Sequence, residues 1–328
     1  MDTTMQSDTD FAARSEPFRP ELVAHCYRIL GSIHDAEDAV QETYLRAWRA
    51  FGGFEGRSSL RRWLYRIATT VCLTSLRTGS RRALPSGLGA PSDDHRVEVT
   101  REPSVAWLQP IPDAVLGGGD PATIVAGRAG VRLAFIAALQ YLPARQRAVL
   151  TLRDVLAFRT AEVAEMLDTT TAAVDSALRR ARAHLAGAGP VEDDLAEPDE
   201  ASRRVLLDGY VDAFTRADPD ALVGLLRADA ELEMPPHATW FTGRDAVVGF
   251  LARRVLRTDR WRLVPTRANG QPACVAYSRA NGGYQAYGVQ VLTLVGDRIA
   301  RIMSFNDPSL VPTFGLAPEL GRPLIDER

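Results

Sequence analysis

The 328-residue chain contains no lysine; all 39 of its basic residues are arginine. Every contact to phosphate or carboxylate therefore falls to guanidinium, which can grip such groups bidentately. Cysteine is almost as scarce. Cys26, Cys72 and Cys274 lie far apart in sequence and match no metal-ligand spacing. Three is also a poor count for a disulfide framework, so a reducing cytoplasmic setting is expected. No apolar run approaches the ~18 residues of a membrane-spanning helix. The opening MDTTMQSDTDFAARSEP is polar and acidic and lacks the apolar core of a secretory signal. Net charge is only −2, so any nucleic-acid contact must come from local clustering rather than overall basicity.

What remains is ordinary and ample: 46% hydrophobic and 24% charged residues, enough for real cores. The length calls for two or three domains. Texture along the chain divides it further. Residues 1–16 read as a flexible N-terminus and 17–84 as a helical module. Residues 85–123 are rich in Pro, Gly and Ser, too long for an intradomain loop, and read as a linker. Helical pattern returns over 124–187, and 188–200 is an acidic second linker. Residues 201–328 change character, with helical segments at 202–216 and 219–227 followed by alternating runs such as YQAYGVQVLTLVG and RIARIMSF. Gly296-Asp297 between two such runs predicts a hairpin turn.

DAEDAVQETYLRAWRAF (35–51) raises the sharpest question, because it carries two apolar faces. Val40, Tyr44, Ala47 and Phe51 share one side of a helical wheel and are expected to face the core. Opposite them, Leu45 sits among Asp38, Gln41, Glu42 and Arg49. That face reads either as solvated with a stray leucine or as an apolar anchor ringed by acids that docks on a partner. Just beyond, every charged residue from Arg57 to Arg82 is arginine (57, 61, 62, 66, 77, 81 and 82), interleaved with Trp63 and Tyr65. Arginines beside exposed aromatics suit single-stranded nucleic acid. Ile67 and Val71 read as core, and Trp63 and Tyr65 are open to either role. Ser58-Ser59 predicts a helix cap.

In LPARQRAVLTLRDVLAFRTAEVAEMLDTTTAAVDSALRRARAHL the spacing predicts a helix over 161–167, a turn at Asp168-Thr169, and a second helix from Thr171 to about His184. Val174, Ala177, Leu178, Ala181 and Leu185 are expected inside. Ala172, Ser176, Arg179 and Ala183 face outward beside Arg180 and Arg182, as a major-groove helix requires. Asp168 tolerates the left-handed turn conformation in which glycine is usual, and Thr170 or Thr171 can cap the second helix.

In this order, these stretches resemble a bacterial RNA polymerase sigma factor of the sigma-70 family, extracytoplasmic-function group, over roughly residues 17–186. The resemblance implies two all-α modules: a region 2 helical bundle and a region 4 helix-turn-helix. It implies that Asp38, Gln41, Glu42, Leu45 and Trp48 bind core polymerase at the β′ clamp helices, with the β flap as a further polymerase contact. It also implies that Arg57, Arg61, Arg62, Trp63, Arg66 and Arg77 engage the −10 promoter element. Ala172, Ser176, Arg179, Arg180 and Arg182 would engage the −35 element. Two departures stand out: Thr-Val-Cys-Leu-Thr at 70–74 where the family often has Asn-Val-Cys-Leu-Asp, and Asp175 where Lys or Asn is frequent. In related sigma factors the linker, here with WLQPIPDA at 107–114, threads through polymerase.

Residues 201–320 resemble the SnoaL-like cyclase family, an α+β cone enclosing a pocket, best matched at MPPHATWFTGRDAVVGFL. By that likeness Met234, His237, Trp240, Phe241, Tyr277, Tyr287 and Asn306 are candidate pocket residues for a small-molecule ligand. Two readings follow. Either His237 is a general base with a tyrosine as donor, or the pocket is inert and the domain regulates. No carboxylate stands beside His237 in sequence, and Arg253, Arg254, Arg257, Arg260 and Arg262 cluster nearby, so regulation is favoured. No metal, cofactor or membrane is implied. A cyclase or isomerase fused to a DNA-binding region, and a plain helix-turn-helix repressor, are the alternatives; neither needs the 35–51 docking face.

Overall fold

A computed structural model describes residues 11–56, 58–77, 79, 81–117, 130–187, 198–280 and 282–321. Arg57, residues 118–129 and 188–197, positions 78, 80 and 281, and the two chain ends fall outside the described residues. The chain forms two compact units: 1–82 with 113–193, and 83–112 with 194–328.

In the first unit, α1 (Arg19–Leu30) starts with Pro at its first turn and is buried from Glu21 to Leu30. Gly31 ends it in the left-handed conformation at φ 72°, which glycine adopts without steric cost. Ser32 caps α2 (Ile33–Ala50) by accepting from the Asp35 N–H at 3.1 Å. Ser59 does the same for α3 (Leu60–Ser75), accepting from Arg62 N–H at 3.2 Å. The buried stripe of α2 is Ile33, Ala36, Ala39, Val40, Thr43 and Ala47. The expected stripe is thus turned: Tyr44 and Phe51 lie at its rim, where their rings meet Phe11 at 6.3 and 5.0 Å. Small residues at 36, 39, 43 and 47 let the helices approach closely, and the two bulky rings find room only at the edge.

The same unit holds α4 (Leu133–Gln140), α5 (Ala144–Leu150), α6 (Thr160–Met166) and α7 (Thr171–Gly187). Asp168 takes φ 48° in the turn between α6 and α7, and Thr170 caps α7 by accepting from the Ala173 N–H at 3.2 Å. Val174, Ala177, Leu178 and Ala181 are buried and Leu185 half-buried, matching the expected inner face. Arg147 of α5 reaches across to α1: its guanidinium donates to the Ile29 carbonyl and, at 2.8 Å, to Gln140 Oε1. Cys26 and Cys72, distant in sequence, are buried side by side; burial, then Cys26 itself, push the Cys72 thiol well up.

The second unit opens with α8 (Glu200–Thr215) and α9 (Pro219–Leu225), capped by Asp199 and Asp218. A seven-stranded sheet follows: β1 (Leu226–Glu233), β2 (Phe241–Thr242), β3 (Trp261–Ala268), β4 (Gln271–Ala280), β5 (Gly283–Val295), β6 (Arg298–Phe305) and β7 (Glu319–Leu320). Its order is β2-β1-β6-β5-β4-β3, with β7 on β5, and only the β1–β6 pairing is parallel. The expected Gly296-Asp297 turn joins β5 to β6, with Gly296 at φ 60°. A short helix, α10 (Arg244–Phe250), and the two N-terminal helices line the concave side, where Tyr210, Phe214, Phe241, Phe250 and Trp261 form an aromatic core.

Residues 83–112 form a strap on this cone. Backbone hydrogen bonds join Ser92 N–H to Trp240 O (2.8 Å), Ala238 N–H to Thr100 O (3.1 Å), Glu102 N–H to Pro236 O (2.9 Å) and Asn269 N–H to Ile111 O (2.9 Å). Side chains add to them: Trp240 Nε1 donates to Gly89 O at 2.9 Å, and Ser86 N–H donates to the buried Glu233 Oε2 at 2.9 Å. The strap leans on α10 where Gly249 leaves space. A Cβ there would stand 2.8 Å from His95 Cγ.

Candidate functional site

On α2, the outer face carries Asp38, Gln41, Leu45 and Trp48, all exposed, with Glu42 half-exposed and paired to Arg46 at 2.6 Å. Leu45 is 42% and Trp48 47% exposed. Two large apolar side chains standing on the face opposite a buried stripe form an anchor that water alone does not reward. The acids around them make this face electrostatically complementary to a basic surface.

The α3 arginines divide sharply. Arg61 grips Glu21 bidentately at 2.8–3.0 Å and lies over the rings of Tyr65 (4.9 Å) and Phe158 (5.2 Å). Glu21 is almost fully buried, so this pair is part of the core. Arg62 instead pairs with Glu165 and, at 3.7 Å, with Glu162, both on α6. Arg66 and Arg77 are exposed. Trp63 is half-buried against Phe54, with centroids 4.8 Å apart, whereas Tyr65 is completely buried and hydrogen-bonded to Glu21 at 3.1 Å. The open question over these two rings thus splits: Tyr65 is core and Trp63 sits at the surface of an aromatic cluster. The partner acids Glu21, Glu162 and Glu165 were not singled out from the sequence; they lie 40 to 103 residues from their arginines.

On α7, Ala172, Arg179 and Arg180 are exposed and Ser176 is half-buried, with Arg180 Nη1 donating to Ser176 Oγ at 2.7 Å. Arg182 is held by Asp154 through two bonds of 2.7 and 2.8 Å, which raises its already high pKa. Asp175 lies 3.4 Å from the Thr160 hydroxyl.

The cone encloses a cavity of about 180 Å³. Of the expected residues, Met234, His237, Tyr287 and Asn306 line it. The other three lie elsewhere. Trp240 is turned to the strap, and Phe241 is wholly buried against Phe250 at 4.6 Å. Tyr277 lies on the face of β4 opposite Cys274 and Ala276, which belong to the core cluster, and donates to Ala317 O at 2.9 Å. Alternation along a strand puts every second side chain on the other face, and sequence alone did not say which face was concave. The cavity instead gains Tyr210 and Phe214 from α8, Trp261, Gln290, Arg254 and Arg260. Burial raises the Tyr287 pKa, opposed by the nearby Arg260 and Arg101. His237 Nδ1 lies 3.0 Å from Met234 O, and among the described residues no Asp or Glu stands in the lining.

Sequence comparison decides the family. Residues 16–82 match the Sigma-70 region 2 family, 132–185 match Sigma-70, region 4, and 207–302 match the SnoaL-like domain. The chain is 48% identical to the ECF RNA polymerase sigma factor SigG of Mycobacterium tuberculosis over 314 residues, 95% of this chain and 85% of that one. The chain belongs to the ECF sigma factors. It directs RNA polymerase to promoters, and it is built of the two helical sigma modules and the α+β cone. A more distant relative, SigJ of the same organism, is 30% identical over 74% of this chain and 72% of its own length. The SigJ crystal structure covers 93% of this sigma factor with a TM-score of 0.59 at 23% identity, a likeness of fold. Among the described residues, no helix is long and apolar enough to cross a membrane, and no His, Cys, Asp and Glu cluster could hold a metal ion.

Proposed function

We propose that this sigma factor works in the cytoplasm, docking core polymerase on the outer face of α2. Asp38, Gln41, Glu42, Leu45 and Trp48 meet the β′ clamp helices there, while the region around α7 reaches the β flap. The observation that carries this is the exposed Leu45–Trp48 pair ringed by acids on a helix whose opposite face is sealed in the core. Arg62, Trp63, Arg66 and Arg77, with Arg57, engage the −10 element, and Arg61 buttresses them from the core. Ala172, Ser176, Arg179, Arg180 and Arg182 engage the −35 element. Arg62 and Arg182 exchange their protein carboxylates for phosphates as DNA binds, a swap that costs little because exposed ion pairs are worth at most about 1 kcal/mol.

The cone regulates without catalysing. Its cavity supplies His237 but no carboxylate to orient the ring or share its proton, and it holds the strap that other sigma factors extend into polymerase. Replacing Leu45 by Asp should abolish association with core enzyme while the melting curve stays within a degree or two of wild type; full-strength binding by the variant would refute the docking face. Run-off transcription with full-length chain against a chain ending at Gly187 tests the cone. Equal transcription together with turnover of a small molecule would replace regulation by catalysis.

A further inference from the structure

The chemistry of the cavity lining narrows what the cone can hold. Its walls are aromatic, with Phe214, Phe250 and Trp261 around about 180 Å³. An apolar cavity of about 150 Å³ accepts one benzene ring, so the space suits a single ring. The polar groups are biased toward donation. Tyr210 donates to Gln290 Oε1 at 3.0 Å and Ser304 donates to Asn306 Oδ1 at 2.8 Å. Each carboxamide oxygen thereby accepts one of these bonds, and each side chain keeps its NH2 group as a donor for a guest. Arg254 and Arg260 add guanidinium groups, and among the described residues the lining contains no carboxylate to neutralise them. A donor-rich, acid-free site selects an anion with paired acceptor oxygens.

The strap completes this site. Val99 is part of the lining, and Arg254 Nη2 donates to the strap carbonyls of Arg96 and Val97 at 3.3 and 3.4 Å, long and therefore weak bonds. Resting on the reading of the cone as a regulator, we propose that its cavity binds a single-ring aromatic carboxylate. The ring lies among Phe214, Phe250 and Trp261 and the carboxylate between Arg254 and Arg260. Occupancy draws Arg254 from the strap carbonyls and loosens residues 92–102.

Calorimetric titration of the full-length chain with benzoate, salicylate and phenylacetate, each against its neutral amide, tests the proposal. At least one acid should bind at least about tenfold tighter than its amide, and Arg254→Gln or Arg260→Gln should each weaken it by about tenfold. Arg253→Gln, outside the lining, should change nothing. Hydrogen exchange at 92–102 should quicken on binding. No heat from any acid up to about 10 mM, with the cone folded by its melting curve, overturns the proposal. So does equal binding of acid and amide, or wild-type affinity in both arginine variants. Unchanged exchange at 92–102 overturns its coupling to the strap. None of these results bears on polymerase docking, which the Leu45→Asp assay judges separately.

Discussion

In the N-terminal unit Arg61 is held by Glu21, Arg62 by Glu162 and Glu165, and Arg182 by Asp154. In the C-terminal unit Arg254 and Arg260 stand at a cavity whose lining, among the described residues, contains no carboxylate. The same side chain thus serves two ends. On the proposed reading, guanidinium paired with the chain's own acids is structural or kept in reserve for phosphate, and guanidinium without such acids is set out for a guest. Within the first unit burial draws a further line, between a pair that holds the core and pairs that water half-screens.

The sharpest way to break that line is Arg61→Ala. It strands the buried Glu21 carboxylate and removes a cation from the faces of Tyr65 and Phe158, and should destabilise the first unit by about 2–3 kcal/mol, read from chemical denaturation. Arg254→Ala should leave stability unchanged within error. If the two variants melt alike, the contrast fails.

Acid should drive the two units in opposite directions. His25 is completely buried, bonded to Thr69 Oγ1 at 2.8 Å, and burial, with Arg28 and Arg61 adding to it, lowers its pKa to about 3. Unfolding lets it protonate at its ordinary value of 6.5, so the stability it lends is complete above 6.5 and drains as pH falls toward 3. Glu233 is the reverse case: burial raises its pKa above 4.5, against Arg301 and the Ser86 amide. Its folded form holds the proton more tightly, so the second unit gains from it as pH falls through the raised value toward 4.5. Hydrogen exchange resolved by unit between pH 7 and 4 should show these opposed slopes, and His25→Asn and Glu233→Gln should each flatten one of them.

A smaller effect sharpens the reserve idea. Glu162→Gln with Glu165→Gln should cost under about 1 kcal/mol of stability, yet strengthen binding of a promoter fragment and steepen its salt dependence by about one ion. Binding unchanged at every salt concentration would mean Arg62 never meets DNA. The smallest concerns the strap. Gly249→Val should crowd His95 and quicken amide exchange over 92–102, and adding His95→Ala should restore the wild-type rate. No quickening in the single variant would mean that His95 is not what seats the strap.

Much of the first unit was legible because its signals are local. Ser59 caps α3, Asp168 turns left-handed, and the inner face of α7 matches the predicted face, since each depends on neighbours within a few residues. The stripe of α2 was less so: a wheel places residues at angles but cannot weigh Tyr44 against Ala39 without the neighbouring helix. In the cone, the hairpin at Gly296-Asp297 was clear while Leu226–Glu233 was not read as a strand. Its apolar and charged residues alternate strictly, but two of the four apolar positions are alanine, and its parallel partner, Ile299–Met303, lies far along the chain. Residues 83–112 read as a linker from their Pro, Gly and Ser; their backbone bonds to 236–242 and 269 are made by groups that every sequence carries.

The order of modules, the caps and turns, the exposed leucine among acids and the arginine-only run come from the sequence itself, because short-range sterics, periodicity and side-chain charge are written residue by residue. Which arginine meets which acid, which aromatics enclose the cavity and where the strap lies belong to the tertiary structure. Those contacts join residues separated by 28 to 158 positions, and only the folded backbone sets which of many chemically equal partners comes within reach.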